Sequence, residues 1–100
     1  PAKGIAALLA RHELTVDDID LFELNEAFAA QALANIGELG ISEDKVNICG
    51  GGMALGHPIG ASGARVLTTL VHQMRRTGAK RGVTSLCLGG GNAVSMLIEC

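Results

Sequence analysis

The run Gly50-Gly51-Gly52-Met53-Ala54-Leu55-Gly56-His57-Pro58-Ile59-Gly60-Ala61-Ser62-Gly63-Ala64-Arg65 constrains this chain more than any other. Glycines gathered so densely are costly in a packed element, since each loses more backbone freedom on folding than any other residue. They are retained where main chain needs positive φ or must lie close to a ligand. Pro58 steers His57 away from the α region towards an extended conformation. A helix opens a few residues later, so its unpaired N–H groups and positive dipole end can face the same cavity as the imidazole. Developing negative charge is favoured there. The segment reads as an active-site turn and not as part of a core.

A chain of 100 residues, 48% of them apolar, suits one domain with a modest buried core. Only two residues are aromatic, both Phe, which argues against a base-stacking surface. A net charge of -2 without a long basic run also lacks the electrostatic footprint of a nucleic-acid binder. The three cysteines, Cys49, Cys87 and Cys100, show no paired spacing and read as reduced thiols in a cytoplasmic compartment. No apolar stretch reaches membrane-spanning length, and the first residues lack the basic-then-apolar order of a secretory signal. The chain starts on a helix-like pattern without Met, as a segment cut from something longer would.

Residues 2–12 carry Ile5, Leu8 and Leu9 at helical spacing. Thr15-Val16-Asp17-Asp18 offers a capping-box start to a short turn. Ile19 to Leu24 cluster apolar residues as a strand does. An Ala-rich helix then runs from Asn25 through Ile36, stopped by Gly37 and Gly40. Val46 to Ile48 is a short strand candidate leading into the glycine-rich turn. Residues 62–77 form the strongest helix, with Val66, Leu67, Leu70, Val71 and Met74 on one stripe. Val83 to Leu88 and Val94 to Ile98 read as a closing hairpin around Gly89-Gly90-Gly91. This order predicts an α/β layered domain. The first helix has no strand before it, so a gap or an open edge is expected in the sheet.

Asn25, His57 and Cys87 fall at or just beyond the C-terminal ends of expected strands, where open α/β sheets bind ligands. Each has a plainer reading. Asn25 suits a helix N-cap, and Cys87 in an apolar strand suits a small buried hydrophobe. A His before Pro in a turn is mostly a surface residue or a satisfied structural one. Context favours chemistry, because His57 and Cys87 each neighbour a triple-glycine run. Cys87 beside Gly89-Gly90-Gly91 places a thiol next to N–H groups able to form an oxyanion hole. A Cys–His pair within reach supplies an activated thiol.

Asn25-Glu26-Ala27-Phe28-Ala29, Gly56-His57-Pro58-Ile59-Gly60-Ala61-Ser62-Gly63 and Cys87-Leu88-Gly89-Gly90-Gly91 together resemble the three C-terminal motifs of the thiolases. They stand in the family's order and spacing, over nearly the whole chain. The resemblance implies a thiolase-like C-terminal domain across 1–100, an α/β fold with a mixed sheet flanked by helices and its first strand absent. It implies an acyl-CoA acyltransferase, closest in style to the short-chain acetyl-CoA acetyltransferases, that reversibly condenses two acetyl-CoA to acetoacetyl-CoA and CoA. Cys87 would be the acid/base thiol acting at the α-carbon. His57 would donate a hydrogen bond to the thioester oxygon as it becomes an enolate, and Asn25 would hold a water as second donor. The Gly89 N–H would help stabilise the tetrahedral intermediate of acyl transfer, and Ala27 with Phe28 would line the acyl pocket. No cofactor or metal is implied, the CoA thioester being substrate. The remaining thiolase fold and further copies of the chain, as a dimer or tetramer, are the implied partners.

The chain departs from the family pattern at Gly52, Ala93 and Ser95, all small-for-small changes. The family's nucleophilic cysteine and most of its CoA-binding loop domain lie outside the resemblance, and Cys49 falls at a variable position. A rival reading is therefore a non-catalytic fragment, or one subunit of a split thiolase that borrows the nucleophile. A metal site from Cys49, His57, His72 and Cys87 lacks short ligand spacing. Neither glycine run fits a nucleotide-binding fingerprint. The condensing enzymes of fatty-acid synthesis share the fold but usually place His or Lys where Cys87 stands.

Overall fold

The computed structural model describes residues 1–100. Helix α1 (Ala2–Arg11) buries Ala2, Ile5 and Leu9, a stripe at helical spacing. A single 3₁₀ turn, Val16–Asp18, follows; the Asp18 carboxylate accepts from both the N–H and the hydroxyl of Thr15 at 2.7 Å. Strand β1 (Leu21–Leu24) is buried at every position. Helix α2 (Ala29–Leu39) ends at Gly40, whose φ of 67° closes the last turn in the left-handed region. A one-turn helix, α3 (Gly52–Leu55), lies within the glycine-rich run, where no helix is expected from the sequence. Helix α4 (Ser62–Thr77) leads through Gly78 into β2 (Arg81–Cys87) and β3 (Ala93–Glu99).

The sheet is mixed and ordered β1-β2-β3, with β1 parallel and β3 antiparallel to β2. Its register explains both faces. Phe22, Val83 and Leu97 stand abreast and join Ile5, Leu9, Ile19, Leu24 and Ile41 in the main core, under α1 and α2. One position earlier in β1, Leu21, Gly82 and Ile98 stand abreast on the opposite face, against Leu70 and Met74 of α4. The period of two in the strands thus sorts side chains between two helical layers. Gly82 lets α4 lie close, since a Cβ there would come within 2.7 Å of Met74 Sδ and 2.8 Å of Leu70 Cδ1.

Of the expected gap or open edge, the sheet shows the open edge: β3 pairs only with β2, while Leu21–Leu24 pairs directly with Gly82–Ser85. Two expectations are corrected. Val46–Ile48 makes only a single parallel bridge, between Val46 and Phe22. The chain cannot extend it, because Asn47 turns to a φ of 48° and Gly50 to 82°. Asn47 completes the edge with its side chain instead, accepting the Leu24 N–H at 2.8 Å and donating to the Leu24 carbonyl at 2.9 Å. Asn25 is not the N-cap of α2, since the helix begins four residues later and Phe28 occupies the cap.

Candidate active site

The C-terminal end of the parallel pair β1/β2 is the crevice where an open α/β sheet presents ligands. Asn25 continues β1 into it, its N–H donating to the Ser85 carbonyl at 3.0 Å. It is 1% exposed, and its side-chain Oδ1 is buried without a partner in the chain. Cys87 ends β2 two residues beyond Ser85, partly buried and not in a disulfide. Gly89 and Gly91 then adopt φ values of 80° and 82°, and the Leu88 N–H closes the loop on the Asn92 carbonyl at 3.1 Å. The Gly89 N–H has no acceptor within the chain.

His57 is carried to the same rim by the glycine-rich run. Glu26, next to Asn25, accepts the Met53 N–H at 2.8 Å with one oxygen and the Asn47 amide at 2.9 Å with the other. Its carboxylate thereby caps α3 and ties the run to the end of β1. Gly51 is required for this approach, because a Cβ there would lie 2.5 Å from Glu26 Cδ and 2.7 Å from Asn47 Nδ2. Gly56, at a φ of 90°, then releases the chain from α3 towards His57.

Two side chains hold the imidazole. Ser62 Oγ makes a short hydrogen bond with Nδ1. Asn25 Nδ2 lies 3.5 Å from Nδ1 and 3.3 Å from Nε2. In the ring plane, a point so nearly equidistant from both nitrogens would collide with the carbon between them. The amide therefore packs over the face of the ring and addresses neither nitrogen in the ring plane.

Beneath the rim sits an ion pair. Arg65, in the first turn of α4, reaches Glu23 of β1, which is 2% exposed. Burial pushes the Glu23 carboxyl up to about 7, against the pull of the Arg65 guanidinium, and the Glu26 carboxylate adds to the rise. The pair pins the start of α4, and hence Ser62, to the strand that ends in Asn25.

The structure thus brings Asn25 and His57 into contact and sets Cys87 on the neighbouring strand end; no hydrogen bond joins Cys87 to His57. Ala27 is partly buried in the bend after β1, and Phe28 is 74% exposed on the outer side of it. Cys49 is exposed, with Arg76 donating to its sulfur at 3.9 Å. No group of three or more His, Cys, Asp or Glu side chains is gathered as a metal site. No helix is long and apolar enough to cross a membrane. Glu26 and Ser62 lay inside the quoted motifs without a role, while Glu23, Asn47 and Arg65 carry no local pattern that marks them. Their one signal is indirect: an acidic residue inside an apolar strand, as Glu23 is, needs a partner.

Comparison with known proteins agrees with this geometry. The family described as "Thiolase, C-terminal domain" matches residues 1–100. An acetyl-CoA acetyltransferase of Chromobacterium violaceum is 56% identical over 99 residues, covering 99% of this chain and 25% of that protein. The cytosolic acetyl-CoA acetyltransferase of Mus musculus is 50% identical over 99 residues, again 99% of this chain and 25% of the relative. A 3-ketoacyl-CoA thiolase of Aliivibrio salmonicida is 51% identical over 102 residues, 99% of this chain and 26% of the relative. The chain spans about a quarter of the length of these relatives. With residues 1–100 matched end to end, the chain belongs to the thiolase family as a C-terminal domain.

Proposed function

We propose that this domain supplies the acid/base half of a thiolase, in the reversible Claisen condensation of two acetyl-CoA to acetoacetyl-CoA and CoA. The observation that carries the reading is the contact of Asn25 with His57 at the end of β1, beside the strand end that bears Cys87. A carbon acid α to a thioester is too weak for an ordinary base, so donors aimed at the developing oxyanion must lower the barrier. One such donor is worth about 3–4 kcal/mol.

In this mechanism, Nε2–H of His57 donates to the thioester oxygen. Asn25 Oδ1 accepts one proton of a water, whose other proton points at the same oxygen. The Cys87 thiolate removes the α-proton, and the enolate carbon attacks the acyl group carried by a nucleophilic cysteine outside this segment, expelling that cysteine as its thiolate. Cys87 returns the proton in the cleavage direction. The Gly89 N–H, which has no acceptor within the chain, stabilises the tetrahedral intermediate of acyl transfer. Ala27 and Phe28 border the acyl group. Two of the relatives above are named acetyl-CoA acetyltransferase, which favours a short acyl chain. The cytosolic name of the mouse relative favours a cytoplasmic enzyme, and the family resemblance implies a dimer or tetramer.

The alternative is a split enzyme in which this chain is one subunit. Full-length protein incubated with acetyl-CoA should release CoA and form acetoacetyl-CoA. If this chain forms the product only when mixed with a separate polypeptide carrying the nucleophile, the split reading stands. No product under either condition rejects the reaction.

A further inference from the structure

We propose that Ser62 is a positioning residue that donates its hydroxyl proton to Nδ1 of His57 and so keeps the neutral imidazole protonated at Nε2. The inference rests on the proposed function in one respect, that Nε2–H is the donor the substrate oxygen needs. Ser62 is 1% exposed and is the first residue of α4. Its hydroxyl has two neighbours, Nδ1 of His57 and the Pro58 carbonyl, the latter at 3.0 Å. That carbonyl already accepts the N–H groups of Ala61 and Ser62, each at 2.8 Å. A carbonyl oxygen has two lone pairs, so a bond from the hydroxyl would be its third, and Nδ1 stands nearer to the hydroxyl than that oxygen does.

A neutral imidazole carries one proton, and an accepting Nδ1 leaves it on Nε2. Asn25 does not contest this, because its amide covers the ring face and addresses neither nitrogen in line. The charged groups on the surrounding elements are engaged elsewhere. Glu26 holds Met53 and Asn47, and Arg65 holds Glu23. Ser62 is thus the neighbour of His57 placed to set the tautomer.

The test uses full-length protein with ¹⁵N-labelled histidine, the His57 signals being assigned by their loss in His57→Gln. At neutral imidazole, Nδ1 should show the shift of an acceptor nitrogen and Nε2 that of an N–H. Ser62→Ala should move the two towards a mixture, and Ser62→Thr, which keeps the hydroxyl, should restore the original pattern. In turnover, Ser62→Ala should lower kcat about five-fold, the size of one net hydrogen bond, with KM little changed. An Nδ1–H tautomer in the unaltered protein, or an unchanged tautomer in Ser62→Ala, would overturn the proposal. The spectra need no turnover, so they decide the role of Ser62 even if acetyl-CoA proves not to be a substrate.

Discussion

Cys87→Ala in the full-length protein should slow exchange of the α-protons of acetyl-CoA with deuterated solvent by roughly 10³-fold, within the range for a lost general base. Acyl transfer from acetyl-CoA to the nucleophilic cysteine should persist, because the proposed mechanism assigns that step the Gly89 N–H and not the Cys87 sulfur. The separation follows from position. Cys87 closes β2, and Gly89 lies past the strand in a loop shaped by its own left-handed φ and by the Leu88–Asn92 hydrogen bond. A small residue at 87 leaves that loop intact. Trapping of the acetyl-enzyme by mass, alongside the exchange rate, checks both halves. Undiminished exchange in Cys87→Ala would remove the thiol from the role of base.

Glu23→Ala should be the most damaging change outside the reacting groups. Breaking a buried ion pair by deleting one partner leaves a charge uncompensated, at a cost of about 3–5 kcal/mol. Arg65, already with one buried nitrogen lacking a partner, would be that charge. The double change Glu23→Ala with Arg65→Met should recover much of the loss, since no charge is then stranded. Burial gives the Glu23 carboxyl a pH signature of its own, opposite in sign to that of an ion pair. With its carboxyl held near 7 in the fold against an ordinary 4.5, Glu23 keeps a proton that the unfolded chain releases. Its contribution to stability is therefore full below about 4.5 and is lost as pH rises through about 7. Glu23→Gln should flatten that slope. Urea unfolding across this pH range gives both the size of the loss and its sign.

Much of the architecture is legible from apolar spacing. The stripes of α1 and α4 and the apolar runs of β2 and β3 emerge within one to two residues of the positions their periodicity gives. What periodicity misses is governed by polar side chains acting at a distance. Asn47 ends an expected strand by turning its backbone and then stands in for that strand with its amide. Asn25 looks like a helix cap because both roles require a short amide after a strand. The backbone bend at Glu26–Phe28 releases it to the sheet rim instead. The unexpected helix α3 depends on the Glu26 carboxylate arriving from 27 residues away to accept the Met53 N–H. The site residues themselves were marked by glycine: His57 and Cys87 stand beside runs whose cost only a special backbone explains. Ser62 and Glu23, which hold that geometry, show their meaning only once α4 is laid against β1.

The central claim is that the imidazole of His57, the amide of Asn25 and the thiol of Cys87 serve one thioester carbonyl. A crystal structure of the full-length protein with acetyl-CoA bound tests this most directly. The account predicts Nε2 of His57 within about 3 Å of the thioester oxygen, a water bridging that oxygen to Asn25, and the sulfur of Cys87 facing the α-carbon. A thioester seated with its carbonyl away from His57, or with Cys87 turned to the far side of the acyl group, would contradict it.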